Sequence, residues 1–159
     1  GLIDYVGLSL FSSMINRSIK LLEGIDETHE EFEVKIGENG FIPETFIPQT
    51  EVRLEIYKKF SSVKNTENLN QLIKEIEDRF GALPEDIKIL VNLTCIRIES
   101  SKLLITKIKG DNKKCTLSLS DNSNLVSKNS SVREISINYP EKIYSKSEFL
   151  LNKLKSFSN

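Results

Sequence analysis

From Leu8 to Leu22 the apolar positions Leu10, Phe11, Met14, Ile15, Ile19 and Leu22 recur at intervals of three and four. That spacing predicts an amphipathic helix, with Gly24 as its C′ residue. Asp26 to Glu31 carries no apolar side chain and reads as an exposed linker. The chain therefore divides into an N-terminal amphipathic helix segment over 1–24, an acidic linker over 25–31 and a body over 32–159. Within the body, Phe32-Glu33-Val34-Lys35-Ile36 alternates like a half-buried strand, and Gly37 and Gly40 turn the chain.

The segment Phe41-Ile42-Pro43-Glu44-Thr45-Phe46-Ile47-Pro48 repeats an aromatic-Ile-Pro unit. Each proline biases the isoleucine before it toward extended backbone, so the expectation is an extended strap with both pairs pressed on the core. Thr50 is expected to cap a helix to about Val63, with Val52, Ile56, Tyr57, Phe60 and Val63 inward. Thr66 opens a second helix, whose stripe of Leu69, Leu72, Ile73, Ile76 and Phe80 stops at Gly81. A third starts with Pro84 in its first turn and runs through Ile87, Leu90, Val91, Thr94 and Ile98.

Beyond Ser101 the period falls to two, over Leu103 to Ile108, Cys115 to Leu119 and Val132 to Ile137. Ser145 with Glu148 forms a capping-box pattern ahead of a closing helix through Phe149, Leu150, Leu154 and Phe157. The fold class expected is α+β, with helices packed on a small, mostly antiparallel or mixed sheet. The Asn- and Ser-rich stretch from Asp121 to Ser131 reads as a loop.

The 159 residues suffice for one core and not for two large ones. Twenty-two basic residues balance 23 acidic ones, so no sequence-wide positive field gathers phosphates, and no direct nucleic-acid partner is expected. No apolar run approaches the ~20 residues of a membrane span, so no membrane is expected and the cytoplasm is the default compartment. Met14 is the only methionine, which favours a piece of a larger protein. Cys95 and Cys115 lack a neighbour at metal-ligand spacing and read as core or strand thiols, with no metal and no cofactor expected.

Catalytic chemistry finds little to use. The seven glycines are scattered, so no phosphate-cradling loop forms, and the one histidine, His29, lies in the acidic linker. The carboxylate pairs Glu30/Glu31, Glu75/Asp78 and Glu85/Asp86 fall where solvent is expected and would simply stay ionised. Glu75, Asp78 and Arg79 share one helix face at offsets of three and four, a pattern that spacing alone reads as an intrahelical ion-pair lattice.

Three segments together resemble the C-terminal domain of the bacterial transcription-repair coupling factors. They are Val6-Gly7-Leu8-Ser9-Leu10-Phe11; the 41–48 strap followed by Arg53-Leu54 and Tyr57-Lys58; and Glu75, Asp78-Arg79-Phe80-Gly81 and Pro84. Leu8 stands where the family often has Phe, and Phe11 where it has Tyr. The resemblance covers about Ile3 to Ile108 and implies a non-catalytic regulatory domain of an ATP-dependent DNA translocase. It further implies docking on a UvrB-like region of the same polypeptide, masking the UvrA-binding surface until RNA polymerase is engaged. Glu75, Asp78 and Arg79 then stand where the family makes its contacts to that region. The alternative is a standalone protein-binding or oligomerisation module using the first helix.

Overall fold

The computed structural model describes residues 32–126 and 130–158. The expected first helix, Gly24, the acidic linker, His29 and the Glu30/Glu31 pair lie outside these residues. Among the described residues four helices and one four-stranded mixed sheet make an α+β fold: β1 (Glu33–Lys35), α1 (Thr50–Ser62), α2 (Thr66–Phe80), α3 (Glu85–Leu103), β2 (Ile105–Gly110), β3 (Lys114–Leu119), β4 (Glu134–Asn138) and α4 (Lys146–Phe157). They group into two compact units, a helical one over Asn39–Thr94 and a sheet unit from 32–38 and 95–158, whose boundary falls within α3. No helix among the described residues is long and apolar enough to cross a membrane.

In the helical unit the strap is fastened to α1 by hydrogen bonds as well as by burial. Ile42 and Ile47 are both fully buried, each such side chain contributing about 1.5–3 kcal/mol. The Ile42 amide donates to Tyr57 Oη at 2.8 Å. Arg53, also buried, donates from Nη1 to the carbonyls of Ile47 at 2.7 Å and Pro48 at 2.9 Å. Arg53 and Tyr57 stand four residues apart and so share one helix face. A charged group is tolerated there because these carbonyls replace its water.

Local geometry departs from expectation in several places. The strap is not extended throughout: the amides of Phe46 and Ile47 both donate to the Pro43 carbonyl at 3.0 Å, which makes a turn over 44–46. Proline restricts the residue before it and lacks an N–H, but it keeps a carbonyl acceptor that can close a turn after it. Thr50 does not cap α1 but is its first residue; Gln49 holds the cap position without a side-chain bond, and Thr50 Oγ1 accepts instead from Arg53 Nη2 at 3.3 Å. Helix α2 is capped by the Asn65 side chain, which accepts from the Asn68 amide, and ends at Gly81 with φ of 101°. Pro84 precedes α3 rather than sitting in it, its carbonyl accepting from Ile87 and Lys88 at 3.1 Å.

Leu103 belongs to α3 and not to the strand that follows. The helix runs on until Leu104, which takes φ of 56° and reverses the chain into β2. Glycine usually fills this left-handed position, because a Cβ there costs about 1–2 kcal/mol. Val132, expected at the head of the last strand, is exposed outside it.

The sheet order is β1-β2-β3-β4. β1 pairs parallel with β2, Val34 opposite Ile108, while β2–β3 and β3–β4 are antiparallel. Ile105, Ile108, Cys115, Leu117, Leu119 and Ile137 point to the buried face. Ser145 caps α4 by accepting from the Glu148 amide at 3.2 Å. Glu38 adds its carboxylate to the same helix end, accepting from the amides of Lys146 and Ser147 and from Ser145 Oγ. Acidic oxygens are favoured at a helix N-terminus, where several amides lack intrahelical partners.

Two substitutions test this geometry by chemical denaturation. A Cβ on Gly40 would lie 2.4 Å from the Leu90 backbone nitrogen, which cannot swing aside. Gly40→Ala is expected to cost about 3 kcal/mol. Leu104→Gly removes left-handed strain at a half-exposed residue and should stabilise by about 0.5 kcal/mol after the added chain entropy of glycine is offset. A destabilised Leu104→Gly would contradict the assigned strain.

Candidate functional site

The charged cluster singled out on α2 extends onto α1. Glu75 Oε1 lies 2.7 Å from Lys59 Nζ and 3.4 Å from Arg79 Nη1. Glu55 Oε1 completes the arrangement, 3.3 Å from Lys59 Nζ and 3.8 Å from Arg79 Nη1. Two acids thus alternate with two cations across neighbouring helices. The Arg79 guanidinium also lies 4.8 Å from the centroid of the Phe80 ring, which packs at 6.0 Å against Phe46 of the strap. The strap therefore braces the aromatic that carries the guanidinium.

Asp78 is exposed and makes no ion pair among the described residues. Of the three residues expected to act together, the structure joins Glu75 to Arg79 and leaves Asp78 beside them facing solvent. Of the intrahelical lattice expected from spacing only the Glu75–Arg79 pair is present among the described residues, and the shortest contact of Glu75 is to a different helix. Lys59 and Glu55 were missed as members, although their own four-residue offset was visible in the sequence. Beside the network an open groove of about 450 Å³ is lined by Val63 and Leu72 with Lys58, Asn68 and Gln71.

The electrostatics suit recognition better than proton transfer. The hydrogen bond from Lys59 foremost, aided by the charges of Lys59 and Arg79, holds the Glu75 carboxyl below the ordinary glutamate range. A general acid at neutral pH needs the opposite shift. Glu85 is exposed and pairs with Lys88 at 3.0 Å. Burial pushes both the Cys95 and Cys115 thiols up, away from the reactive thiolate. Among the described residues no group of three or more His, Cys, Asp or Glu is placed to hold a metal ion.

The Lys59–Glu75 pair has a defined pH window. Glu75 is depressed on folding, so its contribution is present above the unfolded value of about 4.3 and is lost as pH falls through the folded one. Lys59 is raised by its hydrogen bond to Glu75, so its contribution is present below about 10.4 and is lost as pH rises through the folded value. Both side chains are more than a third exposed, so solvent screening leaves a few tenths of a kcal/mol. A carboxyl-detected NMR titration should show Glu75 titrating below a free glutamate. Lys59→Ala should return it toward the ordinary value, and an unmoved titration would mean that the contact does not persist in solution.

Comparison with known proteins places this cluster inside a shared region. Residues 36–130, more than half of the chain, match the model of the TRCF domain. The chain is similar to the transcription-repair-coupling factor of Borreliella burgdorferi, 33% identical over 114 residues, which is 71% of this chain and 10% of that protein. Against the factor of Bacillus subtilis identity is 32% over 123 residues, 76% of this chain and 10% of that protein. Against that of Escherichia coli it is 29% over 119 residues, 71% and 10%. The chain thus spans about a tenth of the length of these relatives. Its fold matches a crystal structure of the C-terminal domain of a transcription-repair coupling factor with TM-score 0.65 and 20% identity, covering 84% of this chain and 99% of that one.

Proposed function

The chain belongs to the TRCF-domain family of the transcription-repair coupling factors, and from that membership we propose that it is the non-catalytic regulatory module of such a factor, a cytoplasmic bacterial protein. In this reading the module docks on the UvrB-like region of its own polypeptide, masks the UvrA-binding surface there, and lets go when RNA polymerase is engaged. Glu75, Asp78 and Arg79 carry the contact.

The observation that bears most weight is the pairing state of the three side chains. Glu75 and Arg79 are already oriented by Lys59, Glu55 and the Phe80 ring, while Asp78 keeps a free carboxylate on the same exposed turn. Side chains ordered in advance lose less freedom on docking. A free acid flanked by fixed charges offers a partner cation one open site and a defined register. The groove between α1 and α2 adds an apolar floor beside it.

A weak contact suffices for such a role. A tether supplies an effective concentration on the order of mM, so an affinity of roughly 10 μM leaves about 1% of molecules open. A shift in the parent's other domains can then release the module without chemistry at the contact itself.

Titration calorimetry of the module against the UvrB-like region of the parent should detect binding. Asp78→Lys is expected to weaken it about tenfold, the size of one interfacial charge coupling. In the intact parent the same variant should bind UvrA more readily. If deleting the entire module leaves UvrA binding unchanged, the masking role is wrong.

A further inference from the structure

The strand register of the sheet unit gathers charges that lie far apart in the sequence. One cross-strand row reads Lys35, Lys109, Thr116, Ser136, and the next reads Glu33, Lys107, Ser118, Glu134; Lys114 stands opposite Asn138 beyond them. The alternate residues Ile108, Cys115, Leu117 and Ile137 are buried, so these rows form the open face of the sheet. Lys35 and Lys109 are direct partners on neighbouring strands, an arrangement that disfavours the fold when both carry the same charge.

Local compensation is incomplete. Glu33 is the acid serving this corner, 2.8 Å from Lys35 and 3.8 Å from Lys107. Its carboxyl lies below the ordinary range through the Lys35 hydrogen bond first, then the charges of Lys35, Lys107 and Lys109. Lys109 is itself depressed, by side-chain contact with Lys107 first, then by the charge of that ammonium, with Lys35 adding to it against the pull of Glu33. Asp111, the acid of the adjoining hairpin, spends one oxygen on the amides of Lys113 and Lys114. Three ammoniums thus crowd around one carboxylate, next to the hydroxyls of Thr116 and Ser136, which lie 3.4 Å apart.

We propose that this lysine- and hydroxyl-bearing sheet face binds the phosphate backbone of a nucleic-acid duplex without sequence preference. Lysine, serine and threonine are side chains that contact phosphate oxygens. Protein interfaces instead favour arginine and large aromatics and are poor in lysine, and neither arginine nor an aromatic stands in these rows. A face without aromatics offers no platform on which to stack unpaired bases, which sets duplex above single strand. Lys107 and Lys109 are two residues apart on one strand, about 7 Å by strand rise, so each can neutralise a different phosphate.

The test is fluorescence anisotropy of the 159-residue chain with a labelled 20-base-pair DNA duplex. Three phosphate contacts give a slope near −2.7 in log K against log salt, about a fortyfold loss between 50 and 200 mM. Lys35→Glu with Lys109→Glu should abolish binding at 50 mM, and the milder Lys35→Gln with Lys109→Gln should leave a slope shallower by about 2. Lys64→Glu with Lys74→Glu changes net charge equally on exposed sites of the helical unit and should leave most of the affinity. Circular dichroism confirms that each variant is folded. No binding at 50 mM overturns the proposal, as does equal loss in the charge-matched control. Tighter binding of a single strand, or of polyglutamate at matched charge, would assign the face to unpaired nucleic acid or to an acidic protein and overturn it too. None of these readouts involves Asp78, so the docking role stands or falls separately.

Discussion

The parallel pairing of β1 with β2 is the constraint on which the architecture rests. Three residues, Glu33–Lys35, lie against a strand more than 70 positions further on. Parallel neighbours cannot be joined by a tight turn, so the intervening chain has to form a crossover. Here that crossover contains the strap, α1, α2 and α3. The chain leaves the sheet and returns to it at adjacent positions, and the same register sets Lys35 beside Lys109. One short strand therefore fixes both the connectivity and the charge pattern of the sheet face.

Within the helical unit, a second arrangement does comparable work over a shorter distance. Arg53 and Tyr57 use one face of α1 to hold the backbone of the strap at Ile47, Pro48 and Ile42. The strap carries Phe46 to Phe80, and Arg79 rests on that ring. A buried hydrogen-bond donor thereby reaches the surface charge through two aromatic rings. The resemblance segments that join Pro43 and Pro48 to Arg53 and Tyr57 have a physical basis in these contacts.

What the sequence disclosed depended on whether the deciding contacts were local. Helix α2 was readable because its apolar stripe and the Gly81 stop are encoded in neighbouring residues, and Ile42 and Ile47 announced their burial by repetition. The Glu75–Arg79 pair followed from a four-residue offset. Arg53 stood out only as part of a resemblance segment and its burial was not legible, since the carbonyls that replace its water come from a turn no periodicity describes. The strap's turn was hidden for a related reason, the Pro43 carbonyl being free to accept from two later amides. Lys59 as the nearest partner of Glu75, the parallel sense of β1 and the gathering of Lys35 with Lys109 all require spatial register between separated segments. A balanced total charge conceals such clustering.

Glu38 carries a consequence for the order of assembly. Its carboxylate secures the first turn of the last helix, more than 100 residues downstream. During synthesis this acid emerges well before the helix it caps and waits with an unfilled partner set until that helix has followed it out of the ribosome. The helical unit, whose contacts lie within one stretch of sequence, can assemble in the meantime. The sheet unit is thus the later of the two to complete, and α4 acts as its closing latch.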